Sequence, residues 1–174
     1  MKAKDIALGG ILVALTIVTL YLTLLIPTNT IAIMTLASLY IPICLIRSNI
    51  KTSIFVYVAS TIISFFILPI NYSIMYALFF GVYGLVKHFI EKLNKIPIEI
   101  VIKLVFFNIV LTIGLLALKL FGVNIDMKFS VGIMYLLAQP VFLVYDYALS
   151  TLITMYYKKF HKKGLYQNKF DTIR

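Results

Sequence analysis

The chain has 174 residues, 62% of them hydrophobic and only 13% charged, with a formal net charge of +10 at pH 7. A water-soluble domain of this size cannot hide that much apolar surface in one core, so the bilayer is its natural solvent. The single cysteine, Cys44, excludes an intrachain disulfide and a cysteine-built metal site.

Six apolar blocks follow one another, at about 5–26, 30–46, 51–68, 72–93, 98–121 and 130–157. Most reach the roughly 20 residues that a helix needs to cross the hydrocarbon. The expected fold is therefore all-α and polytopic, with a six-helix transmembrane domain over 1–157 and a basic tail over 158–174. No signal-peptide cleavage site follows the first block, which is long enough to span and stay. Each break between blocks has a physical cause. Pro27-Thr28-Asn29-Thr30 stops one helix and caps the next, and Pro69-Ile70-Asn71-Tyr72 repeats that device. Arg47-Ser48-Asn49 with Lys51 makes a polar turn, and another runs from Lys92 to Pro97, with proline placed to start a helix. A longer loop runs from Gly122 to Lys128.

Orientation follows from the basic residues. Lys2, Lys4, Arg47, Lys51, Lys87, Lys92, Lys95, Lys103 and the six in the tail all fall on one side, fourteen of the sixteen; only Lys119 and Lys128 fall on the other. The positive-inside rule then puts both termini in the cytoplasm of a bacterial-type cell membrane, with the lysine-rich face against anionic lipid headgroups. Nucleic acid is not the expected partner, because the basic residues sit at helix ends and no aromatic-basic groove is visible.

Ala3, Ala7, Gly10 and Ala14 share one face of the first helix, and Gly10 with Ala14 forms a small-xxx-small pair that permits close helix approach. This face serves either to dock a separate membrane subunit or to pack within the bundle. A second small stripe, Ala77, Gly81 and Gly84, is read as internal packing. Six short helices opened by a first helix reading ALGGILVAL resemble the S component of energy-coupling factor vitamin transporters. In that family an AxxxA-like pair on helix 1 docks onto a transmembrane coupling subunit. The positions here that match that pair are Gly10 and Ala14, with glycine in place of the first alanine, and Ala7 belongs to the same docking face. It also implies capture of a vitamin-like substrate from outside, with energy supplied by the coupling subunit and an ATPase pair.

Asp146, in LVYDYAL, is the most informative polar residue. A carboxylate at mid-membrane costs about 3 kcal/mol on insertion scales, so it must be protonated, paired or facing a wet cavity. Tyr135, Gln139, Asp146 and Ser150 form one stripe on the sixth helix; Asn108 and Thr112 lie on the fifth. Counted from the inner ends of their blocks, Asn108 and Asp146 lie at similar depths of about 15 and 16 Å, which predicts that they meet. That pair is either the floor of an outward-opening substrate cavity, with Gln139, Tyr135, Tyr76 and Lys119 nearer its mouth, or a structural lock between two helices. Lys119 has a second reading as a snorkelling interface anchor. His88 and His161 show no ligand spacing.

The sequence has no GxxxxGK[ST] phosphate loop, no HExxH zinc pair and no GxSxG nucleophile elbow, and it points to no cofactor, metal or catalytic residue. The first expectation is a substrate-capture subunit of a vitamin-like uptake transporter. The alternative is a non-transporting scaffold, similar in size and helix count to the rod-shape-determining membrane proteins. A third is an intramembrane enzyme using Asp146.

Overall fold

The structure, a computed structural model, describes residues 2–93, 95–121 and 131–160. Six helices within them are long and apolar enough to cross a membrane. They are α1 (Ala3–Leu25), α2 (Thr30–Arg47), α3 (Ile50–Ile67), α4 (Ile70–Leu93), α5 (Ile96–Leu120) and α6 (Val131–Phe160). The Gly122–Lys128 loop, with Lys128, and the tail beyond Phe160, with His161, lie outside the described residues.

The breaks fall where their composition predicts, but neither Asn29 before α2 nor the segment 69–72 before α4 supplies the expected side-chain cap, and Asn71 and Tyr72 lie within α4 itself. Pro27–Asn29 forms a single 3-10 turn between α1 and α2. The Asn49 side chain caps α3 by accepting from the Thr52 N–H at 2.9 Å. Pro97 lies in the first turn of α5, where its missing N–H costs nothing.

α2 is the central element, touching α1, α3, α4 and α6. The interior of α1–α4 is rich in small hydroxyl side chains that bond to their own helix. Thr16 donates to the Leu12 carbonyl, Thr23 to that of Leu20 and Ser38 to that of Thr35, each at 2.7 Å. Satisfied in this way, they pack like small apolar residues and let the helices come close. α1 buries Gly9, Leu12, Thr16, Thr19 and Thr23, and a Cβ at Gly9 would stand 3.3 Å from the Thr52 methyl.

α4 is interrupted by a π-turn over Tyr76–Phe80, in which the Gly81 N–H bonds back to the Tyr76 carbonyl. The Ala77 carbonyl is thereby available to the Tyr57 hydroxyl, at 2.7 Å. A Cβ at Gly81 would lie 2.9 Å from the Tyr57 ring, and one at Gly84 would lie 2.8 Å from Pro42. The Ala77–Gly81–Gly84 stripe is thus an internal seam, with Gly84 fitted against the proline inside α2. α5 is peripheral: it rests on α4 and α6, and Lys103 is its only buried residue.

Candidate functional site

Asp146 is satisfied by charge. Tyr83, Lys87 and Glu91 step by four along α4 and present one polar face to α5 and α6. Asp146 Oδ1 accepts from Lys87 Nζ and from the Tyr83 hydroxyl, the latter at 2.6 Å; its Oδ2 accepts from Lys103 Nζ at 3.0 Å. Glu91 Oε1 closes the circuit, 2.7 Å from Lys87 Nζ and 3.1 Å from Lys103 Nζ. Two cations and two carboxylates therefore cancel across three helices. Lys87 is 2% exposed and Lys103 7%, so neither lies against headgroups as the lysine count assumed.

Asn108 and Asp146 do not meet. The α5–α6 seam has a regular antiparallel register that sets Lys103 opposite Asp146, Phe107 opposite Phe142, Asn108 opposite Gln139 and Thr112 opposite Tyr135. The Phe107 and Phe142 rings stack with centroids 4.5 Å apart. Asn108 and Gln139 exchange amide hydrogen bonds at 2.9 and 3.4 Å, and the Thr112 and Tyr135 hydroxyls lie 2.7 Å apart. The expected pairing fails because α6 is 30 residues long, about 45 Å at the helical rise, and so exceeds a hydrocarbon core of about 30 Å. Depth measured from the end of its apolar block is therefore not depth in the bundle. Ser150 engages no neighbouring helix through its hydroxyl in this way: the hydroxyl donates to the Asp146 carbonyl of its own helix at 2.7 Å.

Above the ionic network, towards the lysine-poor end, α4, α5 and α6 enclose a cavity of about 700 Å³. Its walls include Ile74, Leu78 and Phe79 of α4, Leu111, Gly114 and Leu115 of α5, and Met134, Leu137 and Val141 of α6. Ile31 of α2 contributes at one edge. Phe107, Phe142 and Tyr145 also line it, and the Tyr145 hydroxyl is engaged with Ser38 at 3.2 Å. None of Asn108, Asp146, Gln139, Tyr135, Tyr76 and Lys119 lines this cavity. Tyr76 is fully buried in the core with Leu20, Met34 and Leu68. Lys119 is exposed in the last turn of α5. Sequence reasoning followed polar residues and passed over the aromatic lining, since Phe79, Phe107 and Phe142 look like any apolar residues of a spanning helix. The ionic partners did leave a signal: Lys87 and Lys103 are basic residues set inside apolar blocks.

On the other side of the molecule, Ala3, Ala7, Gly10 and Ala14 all face outward, and a Cβ at Gly10 would meet nothing within 4 Å. Gly9, Gly10 and Val13 of α1, with Phe55, Val56 and Ala59 of α3, line a shallow groove of about 460 Å³ beside them.

Fold and site define a multi-pass α-helical membrane protein with an apolar cavity and a neutralised ionic network. The chain matches no family model, no curated protein and no solved structure, so likeness adds no family to that description.

Proposed function

We propose that the protein is a non-catalytic substrate-capture subunit of an energy-coupling-factor type uptake system. In this reading it sits in the cell membrane with both termini cytoplasmic and is energised by a separate coupling subunit and ATPase pair. The observation that carries the reading is the cavity: about 700 Å³ lies within the size range of small-molecule sites, and its lining lies in the half of the bundle nearer the lysine-poor end, which the charge asymmetry assigns to the outside. The outward face of α1 supports it. Small residues beside a groove suit the close approach of a partner helix, and among the described residues nothing stands within 4 Å of a Cβ at Gly10. Asp146 is tied up in ion pairs with two lysines, which speaks for a structural anchor and against an intramembrane acid catalyst.

The test uses Gly10→Leu and Ala14→Leu. Both side chains would project from the bundle, so the isolated protein should fold and retain its ligand. Uptake and co-purification with a coupling subunit should fail. Normal uptake in both variants would remove the α1 face from the mechanism.

A further inference from the structure

The lining of the cavity sets the chemical class of its ligand. We infer that the cavity takes an uncharged, ring-bearing, largely apolar small molecule, an inference that rests on the substrate-capture reading. Three observations converge. Among the described residues, and apart from the Tyr145 hydroxyl, which is already bonded to Ser38, the lining side chains carry no hydrogen-bonding group stronger than the thioethers of Met75 and Met134. An ionised ligand would be stripped of water there without a partner, at a cost that a site of this kind does not repay. The ionic network is no help, because Asp146 is neutralised by Lys87 and Lys103 below an aromatic layer of Tyr83, Phe142 and Tyr145. Phe79 meets Phe107, Phe142 and Tyr145 with ring centroids 5.1 to 6.0 Å apart, so the base of the cavity presents ring faces and edges. Such a base favours an aromatic or flat cyclic occupant over a flexible chain.

The experiment compares two isosteres, naphthalene-2-carboxamide and naphthalene-2-carboxylate, on the purified full chain in lipid nanodiscs. The chain has no tryptophan, so naphthalene emission can be read free of indole background. Gly114→Leu and Ala138→Leu fill the cavity, where a Cβ at Gly114 has only Leu78 near it, at 3.9 Å. Leu116→Met, an exposed position on α5 outside the lining, controls for partition into lipid. The carboxamide should bind at least about tenfold more tightly than the carboxylate and lose that binding in both filled variants but not in the control. Equal or tighter binding of the carboxylate, abolished by filling, would overturn the ligand class and leave the capture reading standing. A bilayer lipid retained through purification and lost in Gly114→Leu, with no probe binding, would identify an acyl chain as the occupant and overturn the ring-bearing class. Failure of either probe to bind, together with unchanged uptake in both filled variants, would overturn the capture reading itself.

Discussion

Asp146 shows how much a single residue depends on its partners. Its carboxylate holds Lys87 and Lys103 through separate oxygens, and both lysines are buried. Asp146→Asn keeps the side chain's size but would leave two buried ammonium groups facing Glu91 alone. Breaking a buried pair by removing one partner costs about 3–5 kcal/mol. Asp146→Asn should therefore lower the melting temperature markedly, and a second change, Lys103→Met, should restore part of the loss. Ligand affinity of the fraction that remains folded should not change, since Asp146 lies outside the cavity. Additive losses in the double variant would show that the two residues are not coupled.

At the scale of the helix, glycines distinguish internal seams from free faces. Gly81 sits under the Tyr57 ring and the Tyr76 carbonyl, both 2.9 Å from a built Cβ, and the backbone atom cannot move aside cheaply. Gly81→Ala should cost about 1–3 kcal/mol, the range for overpacking, and disturb the π-turn. Gly10→Ala should leave the melting temperature of the isolated protein unchanged or slightly raised, because alanine is the better helix former and the space is open. Thermal unfolding of the two variants side by side decides this, and equal destabilisation would place Gly10 in a packed seam. α5 belongs to this scale too. With Lys103 as its only buried residue, it is held by rungs to α6 and by aromatic contacts. Interhelical hydrogen bonds in membranes average about 0.6 kcal/mol, so the ionic rung is the principal fastening.

At the scale of the whole molecule, the charge asymmetry predicts which end is accessible from outside. Thr28, in the α1–α2 turn, and Lys95, before α5, are both exposed and lie at opposite ends of the bundle. The native Cys44 is fully buried and should contribute no background labelling. In sealed right-side-out cells, Thr28→Cys should react with an impermeant thiol reagent, whereas Lys95→Cys should react only after lysis. Labelling of Lys95→Cys from outside would refute the orientation with both ends in. Turning Lys87 and Lys103 inward weakens the headgroup argument at those two positions, while Lys2, Lys4, Lys51, Lys92 and Lys95 remain exposed at the same end.

The sequence by itself determined the number of spans, their approximate limits, the polar turns between them and the uneven distribution of lysine. These are local properties: each block carries its own hydropathy, and proline or asparagine ends a helix through its own backbone chemistry. It also marked the Gly81 stripe and the need of Asp146 for a partner. Only the tertiary structure decided which partner that is, how α5 slides along α6, which face of α1 stays uncovered and where the cavity lies. In a soluble helix a polar face would have disclosed its orientation. In these helices lipid and protein interior are equally apolar, so hydrophobicity does not mark the buried side. Axial register is then set by the fit of particular pairs, Lys103 to Asp146 and Asn108 to Gln139, that are distant in the chain and become neighbours only when the bundle closes.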